Sequence, residues 1–243
     1  MNAKPIEWYL TASQDCPYLE GREMRSLLVD PTFRLDGSGY GDLLERGFRR
    51  SGRFVYRHQC AACTACVAVR VPVAQFRPNR SQRRCLRRNA DLEVGLTTRW
   101  DLAEHVNLLA QYLRARHAGG GMEEASQATY RDMLDDRHGE VGVLESRLQG
   151  KLLAVAITDQ TPRGLSAVYT FFDTSLPARG LGNFSILQQI RETARLGLPH
   201  LYLGYWIPGS PKMVYKAQFR PIEGLVDGVW QSPRRVAALR KGG

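Results

Sequence analysis

No run in this chain of 243 residues approaches the roughly 18 consecutive apolar residues that a spanning helix needs, so no membrane insertion is expected. Residues 1–10 lack a cationic start followed by an apolar stretch, which predicts no secretory leader and a cytoplasmic protein. Thiols stay reduced there, so five cysteines do not imply disulfides. Internal repeats and low-complexity segments are absent. His58, His105, His117, His138 and His200 are scattered, and no pair has metal-ligand or nucleophile–base spacing, so each is expected to be structural. Ser185 and Ser210 lack nucleophile-elbow surroundings, which argues against covalent hydrolase chemistry. Acid is missing where base is densest: residues 77–88 carry six arginines, and the first carboxylate after Arg77 is Asp91.

What is present is a basic globular protein. Hydrophobic content of 43% and charged content of 24% are ordinary, but a net charge of +10 and a pI near 9.7 attract polyanions. Arg80, Arg83, Arg84, Arg87 and Arg88 recur at three and four residues, which places most of them on one helical face. A solvated face normally mixes both signs, so this one is assigned to phosphate contact with steep salt dependence. Just upstream, Cys60, Cys63 and Cys66 form C-x2-C-x2-C. With Cys16, 44 positions earlier, they make a candidate set for zinc or an iron–sulfur cluster. The competing reading is small buried hydrophobes on a hairpin. Cys85, among arginines, is expected to have a lowered thiol pKa, or else to form the inward face of its helix.

Chain texture divides at about residue 95. Residues 1–95 read as a small Cys- and Arg-rich domain of short elements: strands at 6–10, 22–29, 48–56 and 67–73, a helix at 40–47, and an arginine helix from an N-cap at Ser81 to Asn89. Residues 96–233 read as an α/β domain, and 234–243 as a basic tail. After a strand at 92–96, the second part has helices at 101–117 and 128–135, separated by Gly119–Gly121. Strands follow at 141–147, 152–159 and 164–172, then a helix at 183–196, a strand at 200–207, a short helix at 212–219 and a strand at 225–230. That order describes an α+β protein whose second domain is acetyltransferase-like (GNAT-like). In such a fold the Gly180-Leu181-Gly182 turn offers backbone N–H groups to a phosphate. The acetyltransferase pyrophosphate motif would begin with Arg or Gln at position 177, where Pro177 stands, so coenzyme A is disfavoured.

Several blocks together resemble the arginyl-tRNA–protein transferase family. They are Tyr169-Thr-Phe-Phe-Asp173, Gly180-Leu181-Gly182, Tyr202-Leu-Gly-Tyr-Trp-Ile207 and Lys212-Met-Val-Tyr-Lys-Ala-Gln-Phe-Arg-Pro221. Upstream stand Cys16-Pro-Tyr-Leu19, Ser51-Gly-Arg-Phe-Val-Tyr-Arg57 and Val69-Arg70-Val71. The short length resembles the bacterial branch, the aspartate/glutamate leucyltransferases. The resemblance implies transfer of leucine from leucyl-tRNA to proteins with N-terminal Asp or Glu. Such products are marked for degradation by an adaptor–protease machinery. Longer eukaryotic members carry C-x2-C where this chain has Cys16 and Leu19, so their cluster-binding thiols map only in part, with Cys60 and Cys66 as substitutes.

The reaction is attack by a neutral amine on an activated ester, and it requires no cofactor: positioning, a base and oxyanion stabilisation suffice. Asp173 is a candidate base, Tyr205 an oxyanion donor, and Tyr169 a third catalytic candidate. Arg80, Arg83, Arg84, Arg87, Arg88, Gly180 and Gly182 are candidates for the tRNA side. Lys216 or Arg220 would pair with the acceptor's acidic side chain. The alternatives are the same reaction with arginyl-tRNA, a coenzyme A-dependent N-acetyltransferase, and a thiol-metal RNA-binding module.

Overall fold

The structure, a computed structural model, describes residues 6–98, 102–116 and 126–232. His117, the Gly119–Gly121 break and the basic tail lie outside the described residues. The first elements are short: β1 (Trp8–Leu10), β2 (Gln14–Asp15), β3 (Glu23–Met24), β4 (Ser26–Val29), α1 (Gly37–Glu45), β5 (Arg49–Ser51) and β6 (Phe54–His58). Four of these strands make an antiparallel sheet in the order β1-β4-β6-β5, and β2 pairs with β3. Helix α1 starts three residues before the expected Tyr40 because the Asp36 carboxylate accepts from the Gly39 amide at 2.7 Å. The expected strand at 48–56 is a hairpin, and its turn favours glycine: Gly52 has φ +54°, and a Cβ there would push the Asp132 carboxylate aside.

The remaining elements are β7 (Val67–Pro72), α2 (Arg80–Arg88), β8 (Glu93–Thr97), α3 (Leu102–Arg116), α4 (Gln127–Met133), β9 (Glu140–Leu148), β10 (Lys151–Thr161), β11 (Gly164–Phe172), α5 (Leu181–Arg195), β12 (His200–Trp206), β13 (Glu223–Val226) and β14 (Val229–Gln231). Their strands form one eight-stranded sheet in the order β14-β13-β7-β12-β11-β10-β9-β8, with β11 and β12 the parallel pair. This is the acetyltransferase-like arrangement expected. The sheet also takes β7 and β8, drawn wholly or mostly from residues 1–95. Three details differ from expectation. Asn79, not Ser81, caps α2, through a capping box with Gln82. The helix expected at 212–219 is a 3-10 helix, Val214–Gln218. The last strand is a hairpin turned at Asp227 and Gly228, both with positive φ.

Alternation along β7 shows how the layers are cemented. Val67, Val69 and Val71 pack with Ile186, Leu187 and Ile190 of α5, while Ala68 packs with Tyr205 and Ile207 beneath the small sheet. Helices α3 and α4 cover β9, β10 and β11 through Leu109, Leu113, Tyr130, Val143, Val155 and Phe171.

Small and large sheets are also joined by buried charge. Arg50 of β5 grips Asp159 of β10 through two hydrogen bonds of 2.6 and 2.9 Å, with both side chains almost fully buried. Its Nη1 donates to the Gly52 carbonyl, and Nη2 also donates to that of Met133. A buried pair of this kind is most damaging when only half of it is removed. Asp159→Ala should therefore lower unfolding free energy by about 3–5 kcal/mol, whereas the double change Arg50→Met, Asp159→Leu should lose much less. Urea denaturation of both variants checks this, and equal losses would contradict it.

Candidate active site

Strands β11 and β12 are in register at only two pairs, Leu165↔Leu201 and Ser166↔Tyr202. Beyond them the strands diverge, and Ala167, Val168, Tyr169 and Thr170 become half-exposed although β11 is central in the sheet. On the other side β12 breaks register with β7 between Tyr202 and Tyr205, at Gly204, whose φ is +75°. A side chain at Gly204 would be strained. Its absence also leaves room beside two cations: a Cβ there would lie 3.6 Å from Lys216 Nζ and 3.9 Å from Arg49 Nε.

Both cations are buried, at 7% exposure for Lys216 and 4% for Arg49. Lys216 donates to the Tyr205 carbonyl at 2.7 Å. Burial, and then the charge of Arg49, pulls its ammonium down to about 7. Arg49 lies 5.5 Å from the centroid of the Tyr202 ring and 5.9 Å from that of Tyr205. Its Nη1 donates to the Phe48 carbonyl, while Nε and Nη2 have no partner. Burial lowers its pKa as well.

A second basic surface meets this cleft. Arg80, Arg83, Arg84, Arg87 and Arg88 are all exposed on α2, and none is ion-paired with a described carboxylate. The C-terminal end of α2 is fastened to the loop that opens α5. Arg88 donates to the Ala178 carbonyl, and Asn89 donates to the Arg179 carbonyl at 2.8 Å. Buried Gln82 donates to the Gln218 carbonyl at 3.2 Å, and Gln218 donates to Asn183 of α5 at 2.8 Å. Helix α2, the first turn of α5 and the helix carrying Lys216 therefore converge. No side chain caps α5, so its first N–H groups are open to an anion. Gly180 is the left-handed residue before α5, and Gly182 lets the helix approach the Phe172 ring, which a Cβ would meet at 3.0 Å.

The three catalytic candidates do not come together as expected. The Asp173 carboxylate turns away from Tyr205 into a local turn, accepting from the Ser175 amide at 2.9 Å and hydroxyl at 2.6 Å, with Lys151 at 3.7 Å. Burial raises its pKa, but those hydrogen bonds and the lysine outweigh it and hold the group below its ordinary value, which weakens it as a base. It lines a separate cavity of about 230 Å³ with Glu104, Asn107, Leu108, Gln111, Lys151 and Leu152. Tyr205 commits its O–H to the Gly47 carbonyl at 2.9 Å and accepts from the His58 amide, so it anchors the small sheet and has no hydrogen left for an oxyanion. Tyr169 stays on the cleft wall. Its phenol is pushed up to about 12 by burial and then by Tyr112, so it remains protonated at neutral pH. Arg220 is exposed and donates to the Ala217 carbonyl.

The cysteines do not assemble the expected ligand set. Among the described residues no three His, Cys, Asp or Glu side chains gather where they could hold a metal. Cys60 Sγ faces the Arg25 carbonyl, and Cys66 packs near Ala68 and Tyr205. Of the two readings of Cys85 the inward-facing one holds: it packs against the core under α5, burial raises its thiol pKa with Arg88 opposing, and Sγ contacts the Arg179 and Gly180 carbonyls. Two of the described histidines are tied into the fold by both ring nitrogens. His105 bridges Tyr130 and Glu145, and His138 bonds the backbone at Leu35 and Arg53.

Arg49 was not among the expected site residues, yet a signal for it exists: no Asp or Glu stands between Glu45 and Asp91, so Arg49 has no local counter-ion. Its neighbour Lys216 has a measurable consequence. Between about 7 and its ordinary 10.5 the unfolded chain holds a proton that the folded chain has released. Stability therefore rises with pH through that window. Relative to Lys216→Met, the wild-type protein should gain about 1 kcal/mol per pH unit between roughly pH 7 and 9 in urea denaturation, and a constant difference would contradict it.

A family model described as arginine-tRNA-protein transferase, C terminus, matches residues 104–226, and its N-terminal counterpart matches residues 14–84. An aspartate/glutamate leucyltransferase of Thiobacillus denitrificans is 48% identical over 227 residues, covering 93% of this chain and 95% of that protein. One from Stenotrophomonas maltophilia is 49% identical over 231 residues, covering 93% and 92%. Among solved structures, the C-terminal domain of a putative lysylphosphatidylglycerol synthetase from Agrobacterium fabrum overlaps at a TM-score of 0.47 with 14% identity, covering 72% of this chain and 53% of that one, a likeness too loose to carry a conclusion. The chain belongs to the arginine-tRNA-protein transferase family.

Proposed function

We propose that this chain moves leucine from leucyl-tRNA to the α-amine of proteins whose first residue is Asp or Glu, the activity named for its relatives in Thiobacillus and Stenotrophomonas. The observation that carries the reading is the placement of the unpaired arginine face of α2 against the uncapped start of α5, at the open end of the β11/β12 cleft. A tRNA acceptor end needs both parts: cations along its backbone, and N–H groups near its last phosphate.

The chemistry needs no covalent enzyme intermediate. The neutral α-amine attacks the carbonyl carbon of the aminoacyl ester, an N–C bond forms, and the C–O bond to the terminal ribose breaks. The proton lost by the amine ends on the ribose oxygen. Holding the two substrates in one cleft supplies most of the acceleration such a reaction requires. Tyr169, protonated and on the cleft wall, is suited to donate a hydrogen bond to developing negative charge.

The test is direct. Purified protein, labelled leucyl-tRNA and a peptide beginning with Asp or Glu should give labelled peptide. A peptide beginning with Ala should not, and arginyl-tRNA run in parallel should transfer little. No transfer from leucyl-tRNA to either acidic peptide would overturn the reading. Replacing Arg83, Arg84, Arg87 and Arg88 by Ala should raise the KM for leucyl-tRNA and flatten its dependence on salt, by about 0.7–0.9 in log–log slope for each phosphate no longer neutralised. A variant with the wild-type salt slope would remove α2 from the tRNA site.

A further inference from the structure

The least satisfied buried group among the described residues is the guanidinium of Arg49. It is 4% exposed, two of its three nitrogens have no partner, and the residues around it offer aromatic faces and a second cation but no carboxylate. Its sequence neighbour shows what a structural arginine looks like in the same place: Arg50, equally buried, is paired at both ends with Asp159 and caps two carbonyls. A desolvated cation without a counter-ion costs several kcal/mol. Folding alone would be better served by an apolar side chain of similar volume.

We infer that Arg49 is the specificity-determining residue for the acceptor, receiving the side-chain carboxylate of its N-terminal Asp or Glu in the space left by Gly204, with Lys216 as the second donor. This rests on the transferase reading above. Three observations place the carboxylate there. Arg49 Nε and Lys216 Nζ flank the position a Gly204 Cβ would occupy, at 3.9 and 3.6 Å. That position lies on β12 beyond its last pairing with β11, at the register break with β7, and so beside the gap between the two strands. Both nitrogens left unpartnered on Arg49 are donors, and a planar fork matches a carboxylate in two-point contact. An Asn or Gln acceptor of the same shape would leave the cations uncompensated and would bring an amide NH2 against them. Discrimination of acid from amide then follows from charge in a dry site, where it is strongest. A role for the same cations in holding the reaction's oxyanion is a separate idea, and it would affect all acceptors alike.

The experiment compares wild type with Arg49→Met and Arg49→Lys, using leucyl-tRNA and peptides that begin with Asp, Glu, Asn and Ala. For Arg49→Met, kcat/KM on Asp and Glu peptides should fall on the order of 100-fold while the KM for leucyl-tRNA stays unchanged. The Asp-over-Asn ratio should fall toward one. Its Tm should be at or above that of wild type, because the removed cation was uncompensated. Arg49→Lys, which keeps charge but loses the fork, should retain an intermediate ratio. On the wild-type protein, a dipeptide beginning with Asp should shift the Arg49 Nε–H resonance, identified by its loss in Arg49→Lys, and the Asn dipeptide should not. Three results would overturn the inference: a preserved Asp-over-Asn ratio in Arg49→Met, an equal fall in kcat on all acceptors, or an unmoved Nε–H resonance with bound Asp dipeptide. Each leaves the transferase reading standing, which fails instead if wild type transfers leucine to no acidic peptide.

Discussion

The parallel pairing of β11 with β12 is the constraint on which the site depends. Its antiparallel neighbour β10 stays paired with β11 from Ala154↔Phe172 to Thr161↔Gly164, interrupted only by one bulge between Ile157 and Thr158. The parallel pair holds for two residues and then separates. Separation exposes backbone and side chains in the middle of an otherwise buried sheet, which a folded protein tolerates where other groups or a ligand fill the gap. From that one break follow the cleft, the place of α5 at its mouth and the need for a bulge at Gly204. Lys216 secures the far wall by donating to the Tyr205 carbonyl.

Arg49 and Arg50 are adjacent on β5, and the fold treats them oppositely. Strand alternation sends their side chains to opposite sides. Arg50 meets Asp159 and becomes a clamp between the sheets. Arg49 meets Tyr202, Tyr205 and Lys216, and keeps two nitrogens unfilled. The clamp makes the unfilled neighbour sustainable: with Arg50, Arg70 and Tyr202 each paired to a carboxylate across the layers, the small sheet is held firmly enough to carry one unfavourable charge. Strain concentrated at one residue while its surroundings are over-determined is characteristic of a binding site.

Local structure was largely legible in the sequence, and long-range structure was not. The apolar stripe through Leu102, Val106, Leu109 and Leu113 becomes α3, and the runs between residues 141 and 172 become β9 to β11 at nearly the expected bounds. The differences arise from short-range chemistry. Asn79 with Gln82 is a better capping box than Ser81 offers, and Asp227-Gly228 is a hairpin signal inside what looked like one strand. The placement of β7 between β12 and β13 had no local signature, because register across more than a hundred residues is decided by which faces are buried. The site shows the same division. The arginine helix announced itself by charge density, but Asp173 and Tyr205 looked catalytic only because their strands are close. Their partners, Ser175 and Gly47, decide otherwise.

Two kinds of anion recognition coexist within this protein, and physics separates them. The arginines of α2 are exposed and solvated, so their attraction for phosphate is spread over many weak contacts and works through counter-ion release. Such a surface binds any polyanion of suitable shape, quickly and at the mercy of salt. Arg49 is the reverse: one cation, already stripped of water, in a space sized by a missing Cβ. Screening by salt reaches such a site poorly, and its desolvation cost was met when the chain folded. Donor affinity should therefore respond to ionic strength, whereas the choice between acid and amide on the acceptor should not. The net charge of +10 serves the first task alone, because a distant field cannot tell a carboxylate from a phosphate. Only a buried, unpaired guanidinium beside the reacting ester gives the acceptor's single charge enough weight to select it.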